Sequence, residues 1–464
     1  RLHAVLNFLN TPDSVAKLHR LLVSARAKPS DNASFAVNGF NLLNSEALKV
    51  FWRQRRCKAA AGSPRIRRIC IATGELADTL DTTEKIKGVP GGLATGTNLI
   101  SFDKDSFCSF GLEQAQNAAL SAPAELRVRS ALNRLIEISR SQRLVFNDTI
   151  HLHWSRQPME QDPMDPVVTG DKDAIEKLLH AVGRGQQFHG LDANAYYCLS
   201  LSGNGARIVV RDWLESTVPE VERHVAEWFE DLAIVPIEGV GVKRDFKFGA
   251  LLYGMVRAEL AEMPPQIPTQ VFHCALRGRS VPLPQSALAA ALRRQQLDQE
   301  NKLNPARIAL IKACLLRSPN LSTHNQEHTT EPMTESLNAE SRDAAYLCGR
   351  LLAVFDRLQY LALGGVNAGV VERYYPSAST TPALVMGRLF RNAQFHLAKT
   401  EGGVATNVEK DLESITRTLG DRFPSTLDLE GQGRFALGYY HQRAEYRRAS
   451  AERKEAKAKA EATN

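Results

Sequence analysis

Apolar residues recur at helical spacing through the C-terminal part of the chain. Leu347, Leu351, Val354, Leu358 and Leu361 line one face of a first helix. A polar loop then leads to Thr380-Thr381-Pro382, which reads as a helix start, a hydroxyl cap followed by proline where no N–H is needed. The second helix sets Met386, Leu389, Ala393 and Leu397 on one side and Arg388, Arg391, Phe395 and Lys399 on another. Such a helix can sit in a bundle and still touch phosphates. Val408, Leu412, Ile415 and Leu419 predict a third helix, closed by Gly420 as its C-terminal cap. A fourth runs from near Asp428 to about Tyr446. Its Gly431, Gly433 and Gly438 each cost about 1 kcal/mol relative to alanine, so they are read as points of close helix–helix approach. The pattern predicts a four-helix bundle over 339–448, after a polar linker at 318–338 and before a charged tail, 449–464, that is helical or disordered.

Upstream the period changes. Tyr196 to Trp213 is two alternating runs around Gly203-Asn204-Gly205, residues that tolerate the positive φ of a tight hairpin. Val218, Val221, Val225, Trp228 and Leu232 place a helix after it. Residues 1–60 and 124–140 read as helical, and Leu144–Trp154 alternates as a strand. Between them come a short strand near Ile69–Thr73, a glycine-rich loop from Gly88 to Gly96 and a strand at Leu99–Phe102. Residues 1–317 therefore read as a mixed α/β part, and the whole chain as α+β. No internal repeat is visible.

A chain of 464 residues can bury a substantial core in two or more domains. The formal charge of +7 is unevenly spread: residues 1–70 hold thirteen Lys or Arg against Asp13, Asp31 and Glu46. A polyanion partner at that end, or a solvated basic face, would each produce this concentration. The seven cysteines stand singly, without the paired spacing of a zinc site, which fits a reduced, cytoplasmic chain. No signal peptide or membrane-spanning run is seen. The chain opens on Arg1 in mid-pattern, so a further native N-terminal segment is expected.

There is no GxxxxGK[ST] loop, GxSxG elbow or HExxH, and GxGxxG is absent. His151 and His153 alternate on one strand face but lack a nearby third metal ligand, and a packed or surface pair is the favoured reading. Glu227, Glu230 and Asp231 read as a solvated helix face. No catalytic residue, metal or cofactor is expected.

A binding pattern remains. Arg53, Arg55, Arg56, Lys58, Arg65, Arg67 and Arg68 can neutralise several phosphates. Phe51 and Trp52 adjoin them, with core packing favoured over stacking on unpaired bases. In the segment KIKGVPGG, Lys85 and Lys87 stand beside Gly91 and Gly92. Glycine permits close backbone approach to a groove, and lysine holds phosphate or a base acceptor. Taken alone, a structural loop is the favoured reading there. Gln114 and Asn117 are candidate partners, since amides can read base edges.

The blocks Tyr346–Lys399, FPSTLDLEGQGRFALGYYHQR (Phe423–Arg443), CIATGE (Cys70–Glu75), KIKGV, LISFDKDSFCSFG (Leu99–Gly111) and QNAALS (Gln116–Ser121) resemble, in family order, the large subunit of the subtype I-C CRISPR Cascade. The chain departs from that pattern at Thr83, at Ser109-Phe110-Gly111 and at Ala119. The resemblance implies a non-catalytic subunit of an RNA-guided DNA surveillance complex. It would sit beside CRISPR RNA and the repeated backbone subunits, contact the duplex at the protospacer-adjacent motif, support the displaced strand and present DNA to a separate helicase–nuclease. Base pairing to the guide would read the sequence, and the protein only the short motif and the backbone. The resemblance shifts the Lys85–Gly92 loop towards DNA contact. It also implies that the C-terminal bundle is made separately as a small subunit, and Met333 is where an internal start would fall. A DNA-binding regulator outside a guide complex is the alternative, but it would need a recognition-helix module and a dimerisation element that are not found.

Overall fold

A computed structural model describes residues 2–27, 34–59, 67–141, 144–159, 161–183, 194–298, 302–318, 333–400, 402–420 and 423–463. Over these the chain is α+β, helices predominating over small antiparallel sheets. It divides into two compact units, residues 1–87 with 94–134, and residues 88–93 with 135–464.

The first unit opens with α1 (Leu2–Leu9) and α2 (Ser14–Ser24). The hairpin β1 (Ala36–Val37) and β2 (Phe40–Asn41) follows, then α3 (Glu46–Ala59). β3 (Arg67–Ile69) pairs antiparallel with β4 (Leu76–Asp78). Cys70, Leu120 and Ala124 form a small buried cluster with Ile100 packed against it. The strand expected at Leu99–Phe102 does not form. Thr97 makes an isolated bridge to Ile86, but no neighbouring strand continues the ladder, and Ile100 instead packs on the Cys70 cluster while its carbonyl accepts from Thr83 Oγ1. The helix α4 (Ala122–Ser141) begins in this unit.

The second unit holds a four-stranded antiparallel sheet in chain order. β5 (Val145–Phe146) and β6 (Thr149–Ser155) split the expected Leu144–Trp154 strand into a hairpin, with Asn147 turning at φ +51°. After α5 (Asp165–Thr169) and α6 (Lys172–Gly183) come β7 (Ala195–Asn204) and β8 (Arg207–Thr217), the hairpin the alternation predicted. Five helices complete this part: α7 (Val218–Leu232), α8 (Phe248–Tyr253), α9 (Gln266–Arg277), α10 (Gln285–Leu297) and α11 (Pro305–Leu316). Phe146, Tyr196 and Cys198 on the inner sheet face join Val225, Trp228, Phe229 and Phe272 in the core. Asp231, read from sequence as solvated, is instead buried among cations: its carboxylate meets Arg317 at 2.7 Å and Arg279 at 2.8 Å.

The C-terminal bundle has one helix more than predicted: α12 (Ala344–Leu363), α13 (Val370–Thr380), α14 (Pro382–Leu397), α15 (Gly403–Leu419) and α16 (Leu429–Thr463). The glycines before α13 and Pro376 within it disguised this helix as loop. Val370, Val371, Tyr375 and Ala378 bury its inner face. α14 starts at Pro382 as predicted, but Thr381 does not cap it, because its hydroxyl donates to the Ser377 carbonyl. Gly420, at φ +69°, closes α15. The charged tail continues α16 rather than leaving it.

α12 and α16 cross at a glycine on each. A Cβ on Gly438 would overlap the Tyr346 carbonyl, and one on Gly349 the Phe435 carbonyl. Gly433 faces Leu315 and Ile311 of α11, whereas Gly431 meets only residues beside it in sequence. α16 thus serves two cores. Phe435 and Tyr439 belong to the bundle, while Ala436, Leu437, Tyr440 and Ala444 belong to the core around the sheet. Despite the polar linker between them in sequence, this shared helix packs the bundle against the sheet-bearing core. Most of the linker, 319–332, lies outside the described residues.

Candidate nucleic-acid interface

The basic α3 presents Arg55 to solvent, its guanidinium 5.7 Å from the centre of the Trp52 ring. Phe51 and Trp52 are about half exposed, at 50% and 51%, so the core position favoured for them is not what they occupy. Arg67 lies exposed on β3 opposite Asp78. Arg68 is half-buried and donates to the backbone carbonyl of Gln116 at 3.2 Å, tying β3 to the turn at Gln114–Ala118. Arg65 and the side chains of Arg53, Arg56 and Lys58 lie outside the described residues.

Lys85 and Lys87 flank the buried Ile86, so alternation sends both lysines to solvent. Gly96, at φ +105°, lets the returning backbone pass beneath Lys85, where any Cβ would collide. Gly91 and Gly92 do local structural work. The Gly203 amide donates to the Pro90 carbonyl at 2.6 Å, and Gly92 bridges to Gly205. A side chain on Gly203 would overlap Gly92, so the turn and the β7–β8 hairpin tip meet backbone to backbone. Gln114 is exposed. Asn117 is committed internally, its amide donating to the Leu112 and Gln114 carbonyls and its oxygen accepting from the Ser109 amide.

On α14 the two predicted faces separate cleanly. Met386, Leu389 and Ala393 are buried, while Arg388, Arg391 and Phe395 are exposed, as is Lys399 just beyond the helix. The apolar set fixes the helix in the bundle, which leaves the cations fixed in direction rather than floating on a loop.

Sequence reading missed a buried polar chain on the inner sheet face. Cross-strand register brings His151, Ser200 and Asp212 together, and α9 adds His273 and Arg277. His273 Nδ1 lies 3.0 Å from Asp212 Oδ2, and Ser200 Oγ lies 2.8 Å from His273 Nε2 and 2.7 Å from His151 Nδ1. One donor direction satisfies all three contacts. His151 Nδ1–H donates to Ser200, Ser200 donates to His273, and His273 Nδ1–H donates to Asp212. This leaves His151 Nε2 bare, and it is indeed without a partner. The connectivity is that of a serine–histidine–aspartate relay. Ser200, however, is fully buried and held between two rings, so no acyl group reaches it, and the chain's work is to join β6, β7, β8 and α9. His153 spends its Nε2 on Asp162, at 2.8 Å. Among the described residues no three His, Cys, Asp or Glu side chains gather as a metal would need, and no helix is long and apolar enough to cross a membrane.

Buried histidines, His273 of this polar chain and His441 of α16, set a pH dependence. Burial, with Arg277 adding to it, outweighs the attraction of Asp212 and lowers His273 to about 4. Burial beside Lys312 and Arg350 lowers His441 to about 3. A histidine with a depressed native pKa binds its proton more readily when unfolded. Its neutral form therefore supports folding fully above the unfolded value near 6.5. Stability should fall as pH drops from about 6.5 towards 4. Urea midpoints measured across that range should decline, and the decline should be shallower in His441→Gln. A flat profile from pH 7 to 4 would contradict the burial of neutral rings.

A family model described as CRISPR-associated protein (Cas_Csd1) matches residues 1–447. No curated protein matches the chain.

Proposed function

The chain belongs to the CRISPR-associated Cas_Csd1 family, and on that footing we propose that it is the large subunit of a type I-C Cascade surveillance complex. In this reading it makes no catalytic contribution of its own. It joins CRISPR RNA and the repeated backbone subunits, and Lys85 and Lys87 meet the protospacer-adjacent duplex. Arg388, Arg391 and Lys399 hold one strand of the opened target, and a separate helicase–nuclease does the cutting. A second copy of the bundle, made from Met333, would serve as the small subunit.

The observation that carries this reading is α14, whose apolar face is buried while Arg388, Arg391, Phe395 and Lys399 share an exposed side. Two cations on a rigid helix and a third just past its end suit a phosphate backbone, and their contribution is electrostatic and independent of sequence. Affinity-purified protein expressed beside its CRISPR locus should co-elute with CRISPR RNA and the backbone subunits, and should leave duplex and single-stranded DNA intact with Mg2+. Changing Arg388, Arg391 and Lys399 to alanine should weaken target binding alike on all sequences. It should also flatten the salt slope by up to about 0.9 per lost duplex phosphate contact, or about 0.7 on a single strand. Elution alone and free of RNA would overturn the assignment. Mg2+-dependent cleavage abolished by a point mutation in this chain would overturn its non-catalytic part.

A further inference from the structure

The polar relay lies on the inner face of the sheet, and the opposite face carries three aromatic rings. Trp154 on β6 and Tyr197 on β7 are direct cross-strand partners, their centroids 5.5 Å apart and their planes within 22°. Trp213 on β8 lies 5.8 Å from Tyr197 at 32°, and 5.7 Å from Trp154. β8 is an edge strand, and Trp213 is 46% exposed. Cross-strand aromatic pairs stabilise sheets, but that role is satisfied by the inner pair. It does not account for a large ring left open at the sheet edge.

We propose that this cluster is a stacking platform for unpaired bases of single-stranded DNA, with the first base lying on the open face of Trp213. The inference rests on the proposed function and gives the displaced strand a seat. Ring faces suit nucleobases of any sequence, and sheet-borne aromatics are a recurring way of holding unpaired strands. Charge agrees with that occupant. The exposed Arg156 stands two residues beyond Trp154, just past the end of β6. It can meet a phosphate that flanks a stacked base. Glu215 pairs opposite Tyr197 and disfavours a phosphate directly over the rings.

An oligothymidylate of about 15 nucleotides should quench the tryptophan fluorescence of the purified protein. Trp213→Ala should weaken its binding at least about fivefold, the lower bound for losing one stacked base. Trp213→Phe should retain most of the affinity. An abasic oligomer of equal length should bind wild type and Trp213→Ala alike, and more weakly than oligothymidylate binds wild type. Equal oligothymidylate affinity in Trp213→Ala and wild type, with matching thermal melts, would overturn the platform. So would an abasic oligomer that binds wild type as tightly as oligothymidylate does. Co-elution of both proteins with CRISPR RNA is scored separately. Failure there would sink the guide-complex reading and leave the fluorescence result to decide the platform.

Discussion

Asp231→Ala should be among the most destabilising single substitutions in this protein, lowering stability by about 3–5 kcal/mol. Asp231 is 1% exposed, and its carboxylate lies 2.7 Å from the Nε of the fully buried Arg317 and 2.8 Å from Arg279. Arg317 is further held by the carbonyls of Cys274 and Gly278, and it lies over the Trp228 ring. Lys312 donates to the backbone carbonyl of Asp231 at 2.9 Å. Removing the carboxylate leaves the Arg317 guanidinium buried without its anion, while the Lys312 contact to the backbone carbonyl persists. The same cost should not follow from removing both partners, because an apolar pair does not strand a charge. Asp231→Leu combined with Arg317→Met should therefore be less damaging than the two single effects added. Urea denaturation of the single and double variants measures this coupling. A loss below about 1 kcal/mol for Asp231→Ala would mean that the buried cluster is not formed.

Gly438→Val should be comparably severe for a different reason. The glycine lies where α16 crosses α12, and a side chain there meets the backbone at Tyr346 rather than a movable side-chain tip. Overpacking of a core costs about 1–3 kcal/mol where neighbours can shift. Here the neighbour is a helical carbonyl, and Gly349 repeats the constraint from the other helix. The loss is expected at or above the top of that range, with the bundle core of Phe435, Tyr439 and Leu351 loosened. Thermal melts and near-ultraviolet dichroism would report it. Wild-type melting of Gly438→Val would show that the two helices do not cross this closely. Gly431→Ala is the control, since nothing from another helix approaches that position.

Much of this architecture was legible in the sequence wherever a period met a punctuating residue. The β7–β8 hairpin followed from alternation around Gly203 and Gly205, and α14 and α15 followed from apolar spacing with Pro382 and Gly420 at their ends. The two-sided character of α14 was equally readable, because one helix face needs no knowledge of its neighbours. α13 was lost because Gly364, Gly365, Gly369 and Pro376 carry the local signature of a loop, and tertiary burial of Val371 and Tyr375 overrode it. Asp231 was misjudged because its partners come from the residue that ends α11 and the segment after α9. The Ser200–His273–Asp212 chain and the Trp154–Tyr197–Trp213 cluster are products of register, and register cannot be read from one strand at a time. Asn117 looked available as an amide, but its local turn consumes it.

The double duty of α16 has a consequence for any free copy of the bundle. In the intact chain Ala436, Leu437, Tyr440 and Ala444 are sealed against the sheet-bearing core, with the Tyr440 hydroxyl donating to the Val235 carbonyl. A product beginning at Met333 would have the same sequence there but none of that cover. The attached and detached copies would therefore differ in surface chemistry while sharing every residue. The detached one would carry an apolar seam running along its longest helix. Such a seam favours association with another apolar surface, whereas the tethered copy already has it covered.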